Sequence, residues 1–356
     1  MKLNFKPNKV AFLDFETQRE CELVSVKRYA EHPSTKALTC CVKVEGKMLR
    51  MGPYLTDEDK SILQRVAENY TLVAHNAPFD AAIWEKTLKL PEVEWFDTLP
   101  CARAAGYPGG LDKLSKAMGG RGKHKDGERL IKLLCSVKNG VVPAVGPAHE
   151  LLMAYNAQDV EELEFIYGKV KDFGEPAVMT VDRKINTAGV KLDRSLLSAI
   201  SDTYDENAKI HGINFQDTTG GVNPQSPKQV KEWLVSKGFA VDKTDKFVMN
   251  NLIANPEIYY NGDPTNNTAA ANLDVVQAAI EMKRELVSIG RSKMSSALDA
   301  LDSDDRIRDL FIYYGAHTGR WSSRSLQVHN LPVGIKSLDV RYIEQTLTAV
   351  TAATVK

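Results

Sequence analysis

Three short acidic motifs stand out along the 356-residue chain: Asp14-Phe-Glu16, Asn76-Ala-Pro-Phe-Asp80 and Tyr155-Asn-Ala-Gln-Asp159. In the first, the two carboxylates are two positions apart at the end of an apolar run, so on a strand both side chains leave the same face. In the third, Tyr155 and Asp159 are four apart, which places them on one face of a helix. Asp80 follows Asn76 by four, where a strand-like run gives way to helical periodicity. Clustered carboxylates repel one another and raise each other's pKa unless a cation compensates them. Two Mg²⁺ or Mn²⁺ ions roughly 4 Å apart take several oxygen ligands, and such a pair stabilises the attacking and leaving oxygens of a phosphodiester undergoing hydrolysis. Singly, each motif is also compatible with a bland role: a solvated or capping D-x-E, a helix-dipole Asp80, a packed Tyr155 beside an exposed Asp159. The catalytic reading rests on the three occurring in order.

These residues need particular elements beneath them. Val10 to Phe15 reads as a strand, and Leu38 to Val44 and Lys47 to Met51 as a further strand and its hairpin partner. Helical spacing of Ile62, Leu63, Val66 and Ala67 precedes a buried-strand run, Thr71 to Ala74. Phe79 to Leu90 predicts a helix, Trp95 to Asp97 a short strand, and Leu111 to Met118 a short helix. Pro147 opens a long helix to about Lys171, with Leu151, Leu152, Tyr155, Val160, Leu163 and Ile166 at helical spacing. Strands alternating with helices predict an α/β domain around a central sheet. Asp97 reads as structural or helix-capping. The Arg121 to Lys125 loop reads either as a solvated basic loop or as a guide for single-stranded DNA.

Gly174-Glu-Pro176 is the expected boundary, giving domains at 1–174 and 175–356. The second part reads as mainly helical. Ser226-Pro227-Lys-Gln229 predicts a capping box with proline at the first helical position, and Gly238 the stop of that helix. Leu273 to about Leu301 predicts a long helix with Gly290 as an interruption. Residues Arg306 to Lys336 are locally basic.

In order and element type, the three motifs resemble the D-x-E, N-x-x-x-D and Y-x-x-x-D motifs of the ribonuclease-H-like 3′→5′ exonuclease domain of proofreading polymerases and ribonuclease D, over about Val10 to Lys171. The resemblance implies an α/β fold with a mixed sheet and two Mg²⁺ (or Mn²⁺) cofactors. It implies that Asp14, Glu16 and Asp159 hold the first ion, with Asp14 bridging to the second. Asp80 would support the second ion, largely through water, and Tyr155 would orient the attacking water. Asn76 would contact DNA.

The second part carries its own resemblance. Asp182-Arg-Lys-Ile-Asn-x-x-Gly-Val-Lys-Leu-Asp193 is similar to the segment that opens the thumb of family A DNA polymerases, and Asn223 to Gln229 to their N-x-x-S-P-K-Q helix start. Tyr314 to Ser323 (Y-G-A-H-T-G-R-W-S-S) and Gln327 to Pro332 (Q-V-H-N-L-P) resemble the stretch that contacts primer–template, in the version found in bacteriophage members. This implies DNA contacts from Thr318, Arg320, Ser322, Ser323, Arg324, Gln327 and Asn330, with Gly319 admitting close backbone approach. His329 stands where glutamine is usual and Val333 where phage members often carry arginine. The downstream D-Y-S-x-I-E and H-D-E motifs that hold the metals of nucleotidyl transfer do not occur among the 356 residues.

The expectation is therefore the proofreading exonuclease and DNA-holding part of a split or truncated family A polymerase. Its DNA partners would be a single-stranded 3′ end and a primer–template duplex, with a second polypeptide carrying fingers and catalytic palm. A stand-alone exonuclease with a helical DNA-binding appendage and a catalytically idle DNA-gripping subunit are the alternatives. The T-G-R-W-S-S block argues against the first of these and the intact carboxylate set against the second. A net charge of zero gives no global attraction for nucleic acid, leaving any basic channel local. Five cysteines without a C-x-x-C pair argue against a disulfide framework or thiolate zinc site. With no apolar run of membrane-spanning length, the sequence reads as soluble and cytoplasmic, in the host if phage-encoded.

Overall fold

The computed structural model describes residues 9–20, 25–137, 141–260, 267–286 and 289–328, with the backbone alone for 289–292. Among these, 9–192 with 300–328 form one compact unit and 193–299 the other.

The first unit is built on strands β1 (Val10–Gln18), β2 (Lys36–Val44), β3 (Lys47–Met51), β4 (Thr71–Ala74) and β5 (Trp95–Asp97), in the order β3-β2-β1-β4-β5. β1–β2 and β2–β3 are antiparallel, while β1–β4 and β4–β5 are parallel, so the sheet is mixed. Helices cover both faces because the β1 side chains alternate. Ala11, Leu13 and Phe15 pack with Leu63, Ile83 and Trp84 on one side. Phe12 packs with Leu114, Val160, Leu163 and Ile166 on the other. The helices are α1 (Val26–Glu31), α2 (Asp57–Asn69), α3 (Ala77–Ala82), α4 (Thr98–Ala104), α5 (Leu111–Ala117), α6 (Gly127–Leu130) and α7 (Pro147–Val170). The expected Phe79–Leu90 helix starts two residues earlier and runs from α3 into a π-helical turn at Ile83–Thr87. β1 is three residues longer than expected, so Asp14 and Glu16 lie inside it, with a register shift just beyond, between Glu16 and Thr17.

Helix α8 (Pro176–Ala188) and the short pairs β6 (Val190–Lys191) with β7 (Arg306–Ile307) stay in this unit. The Asn-x-x-Gly-Val-Lys run explains why. Asn186 donates to the Phe311 carbonyl (3.0 Å) and accepts from the Phe311 N–H (2.8 Å). Gly189 has φ +67°, and a Cβ there would lie 2.6 Å from the Ile307 carbonyl. Contacts therefore divide the described residues near 192 and not at the expected 174.

The second unit contains α9 (Arg194–Thr219), α10 (Pro227–Ser236), α11 (Lys246–Ala254) and α12 (Asn267–Leu286) around Phe215, Trp233, Leu234, Phe239, Leu252 and Ile280. Ser226 caps α10 through the Gln229 N–H. The Gln229 side chain, however, accepts from the Asn223 N–H (2.8 Å), closing the N-x-x-S-P-K-Q turn instead of completing a capping box. Gly238 stops the helix at φ +94°. The expected 273–301 helix corresponds to α12 and α13 (Ile289–Ala300), with 287–288 between them outside the described residues and Gly290 within α13. No described helix is long and apolar enough to cross a membrane.

Candidate active site

Because even positions of β1 face α7, Asp14 and Glu16 project toward the helix that carries Tyr155 and Asp159. The result is a cluster in which oxygens of Asp14, Glu16 and Asp159 all lie within 4.8 Å of one another. Every residue of Tyr155-Asn-Ala-Gln-Asp159 has a part. Tyr155 is packed with Leu38, Leu130 and Leu152. Asn156 is fully buried and donates to Asp14 Oδ2 (2.5 Å) and the Asp14 carbonyl (3.2 Å), which orients that carboxylate. Ala157 enters the core. Gln158 donates to the Gly122 carbonyl (2.7 Å). Asp159 is buried, and its Oδ1 has no hydrogen-bond partner.

Burial raises the Asp14 carboxyl to about 7, with Asp159 adding to the rise and Lys123 and Asn156 opposing it. Glu16 is raised to about 8, by burial first and then by Asp14. Asp159 is also raised by burial, against the pull of Lys123 and Tyr155. Three carboxylates whose charged forms are destabilised together, one with an orphaned buried oxygen, form a donor set that fits a hard divalent cation.

Asp80 is buried beside this group but is not one of the three clustered ligands. Its Oδ1 accepts from the Phe15 N–H (3.2 Å), and burial, then Asp14, raises its pKa well above the usual range. Asn76 adopts a left-handed conformation (φ +71°) that asparagine tolerates, and it is exposed just before α3. Its N–H and that of Leu99 both donate to Asp97 Oδ1 (2.9 Å each), so Asp97 is the capping residue expected. His75 is locked between Thr98 Oγ1 (2.9 Å) and the Gly109 carbonyl (2.8 Å), and burial lowers its pKa to about 4, keeping it neutral. Asp14, His75, Pro108 to Lys113 and Lys123 line an open cavity of about 720 Å³, within the size range of small-ligand sites.

Two participants were not legible beforehand. The Arg121 to Lys125 loop is neither simply solvated nor wholly outward. Lys123 turns inward, 2.7 Å from Asp159 Oδ2 and 2.8 Å from the Tyr155 hydroxyl. Gly127 at the start of α6 lies against the Tyr155 ring, where an added Cβ would be 2.3 Å from Cε2. A lysine in a basic loop and a lone glycine carry no periodic signal.

The expected DNA contacts form a separate feature of the same unit. β8 (Phe311–Ile312) pairs with β9 (Ser322–Ser323), and the intervening turn is closed by Ala316 N–H to the Arg320 carbonyl (3.1 Å), with Gly319 at φ +78°. Thr318, Arg320, Arg324 and Gln327 are exposed on or beside this ribbon, and Ser322 and Ser323 are half-buried. Asn330, His329 and Val333 lie outside the described residues.

No protein-family model matches the chain. It is 28% identical over 357 residues to a DNA polymerase of Bacillus phage SP02, an alignment covering 93% of this chain and 52% of the relative. It also superposes on the polymerase domain of Pol1 from M. smegmatis, solved in complex with DNA primer-template and dNTP. The TM-score is 0.55 at 15% identity, covering 92% of this chain and 53% of that one. The chain spans about half the length of both. Over nearly its whole length, then, this mixed α/β and helical chain is similar in sequence to a phage DNA polymerase and shares its fold with a polymerase domain.

Proposed function

We propose that residues 1–174 hydrolyse the 3′-terminal phosphodiester of DNA as a proofreading 3′→5′ exonuclease of ribonuclease-H-like type, and that residues 175–356 help hold primer–template DNA. The observation that carries this reading is the meeting of Asp14, Glu16 and Asp159 within 4.8 Å, beside the Tyr155 hydroxyl environment and a nucleotide-sized cavity. When bound, two Mg²⁺ or Mn²⁺ ions would supply the charge that activates water and stabilises the leaving 3′-oxygen. Asp14, Glu16 and Asp159 would hold the first ion, Asp14 would extend to the second, and Asp80 would support it through water.

The remaining work belongs to the chain's own groups. Asn156 fixes the Asp14 carboxylate. The Tyr155 hydroxyl would orient the attacking water, its ring fixed by packing on Leu38 and Leu152. The cavity lined by Asp14, His75 and the 108–113 segment would receive the terminal nucleotide, with Asn76 at the exposed turn before α3 contacting the strand. Burial and mutual repulsion raise Asp14 to about 7 and Glu16 to about 8, so below those pH values their ionisation must accompany loading. Thr318, Arg320, Ser322, Ser323, Arg324, Gln327 and Asn330 would meet the phosphates and sugars of duplex DNA.

Likeness to DNA polymerases over more than nine-tenths of the chain supports a role beside a polymerase over a stand-alone nuclease. No nucleotidyl transfer is proposed for these residues, which lack its metal-binding motifs. A second polypeptide with fingers and palm rests on that sequence reading alone. DNA labelled at its 3′-terminal nucleotide tests the proposal. Metal-dependent release of labelled nucleoside monophosphate as the first product is expected, whereas labelled oligonucleotides from internal cuts would contradict it.

A further inference from the structure

We propose that Lys123 is a positioning residue of the carboxylate site: it holds Asp159 and Tyr155 in place and competes with the first divalent cation for Asp159. The inference rests on the reading of Asp14, Glu16 and Asp159 as a cation site.

The loop that bears Lys123 is built to aim it. Gly122 N–H donates to Ser115 Oγ (3.1 Å) on α5, and the Gly122 carbonyl accepts from Gln158 on α7 (2.7 Å). The Lys123 N–H donates to Asp112 Oδ1 (2.8 Å). Arg121 pairs with the buried Glu162 (3.1 Å) and with Glu161. The close approach demands glycine at two positions. A Cβ at Gly120 would lie 2.3 Å from Ser115 Oγ, and one at Gly122, where φ is +74°, 2.5 Å from Lys116 Cε. So stitched to two helices, the backbone leaves the Lys123 stem one short reach from the cluster.

A lysine on a surface loop ordinarily extends its ammonium into water. Here the ammonium instead sits between a carboxylate oxygen that is a candidate metal ligand and the hydroxyl expected to orient water. It also lies 5.2 Å from the centroid of the Tyr155 ring. An ammonium on Asp159 Oδ2 and a divalent cation drawing on the same carboxylate repel each other, so loading must displace Lys123 or loosen its ion pair. The four-carbon stem permits that movement without loop rearrangement. Lys123 therefore has two opposed effects. It lowers the affinity of the first cation, and it keeps Asp159 and Tyr155 in register for cleavage.

A merely structural lysine would give no such opposition, and this separates the cases. Mn²⁺ binding to the full chain, followed by electron paramagnetic resonance, should be tighter in Lys123→Met than in wild type by up to about fivefold, the factor equivalent to losing one part-exposed ion pair. Cleavage of single-stranded DNA at saturating Mn²⁺ should fall in the same variant. Lys123→Arg, which keeps the charge, should bind Mn²⁺ as wild type does. A Lys123→Met protein that folds only with Mn²⁺ would support the proposal, since the ion has then replaced the ammonium. Mn²⁺ affinity equal to or weaker than wild type, or a variant that stays unfolded in saturating Mn²⁺, would overturn it. Failure of the underlying site is distinguishable: wild-type Mn²⁺ binding would then be indifferent to Asp14→Ala.

Discussion

Replacing Asp14 by asparagine should abolish cleavage yet stabilise the metal-free protein at pH 8. The Asp14 carboxyl is raised from 3.8 to about 7 by burial, then by Asp159, against Lys123 and Asn156. Between those two values the native state binds more protons than the unfolded chain, so stability is full below the lower value and falls as pH rises through the upper one. The gap corresponds, at about 1.36 kcal/mol per unit, to a ceiling of about 4 kcal/mol. Glu16 shares the same repulsion, which divides the effect between the two groups. About 2 kcal/mol is therefore the expected gain of Asp14→Asn at pH 8. The amide oxygen of the variant still accepts from Asn156, so little packing is lost. Urea unfolding in EDTA at about pH 5 and pH 8 measures this. Wild type should lose stability between the two, and the variant should lose less and exceed it at pH 8. Saturating Mn²⁺ should reverse the order, because wild type gains binding energy that the variant lacks. A variant less stable than wild type at pH 8 in EDTA would refute the claim that these carboxylates strain one another.

Tyr155→Phe keeps the buried ring but loses the hydroxyl 2.8 Å from Lys123; cleavage should fall about 100-fold, with melting changed by no more than about 1 kcal/mol. Gly127→Ala pushes a Cβ against the Tyr155 ring, so steady-state cleavage should drop at least about tenfold and stability by about 1–3 kcal/mol. Arg320→Ala should weaken primer–template binding and reduce the slope of log affinity against log salt by about one, while degradation of short single strands stays unchanged.

The strands of the sheet, α7 and the pairing of Asp14 with Glu16 were legible because period-two and period-3.6 patterns are written directly in the residues. Periodicity also put Tyr155 and Asp159 on one helix face, whereas the meeting of Asp159 with Asp14 and Glu16 was implied by the resemblance of the three motifs and not by spacing. The extension of β1 past Glu16 was hidden, since Thr17 and Gln18 are polar yet buried. So was the Asn156–Asp14 hydrogen bond, which joins residues 142 positions apart. Lys123 was read with its loop's net charge, and its inward turn depends on Ser115, Gln158 and Asp112 anchoring Gly122 and its own N–H. The attachment of 300–326 to the first unit is equally non-local. It rests on contacts such as Ser25 Oγ to Asp302 (2.8 Å) and the Val26 N–H to Asp309 (2.8 Å), which no spacing rule anticipates.

The three clustered carboxylates are proposed to make a metal-dependent site working from the 3′ end. The most direct test is digestion of a 5′-labelled DNA primer by the purified chain with Mg²⁺, Mn²⁺ or EDTA, beside Asp14→Ala and Asp159→Ala. A ladder shortening one nucleotide at a time from the 3′ end is predicted, present only with metal, absent from both variants, with DNA binding retained. Wild-type ladders from either variant, or no shortening by folded protein in saturating Mn²⁺, would contradict it.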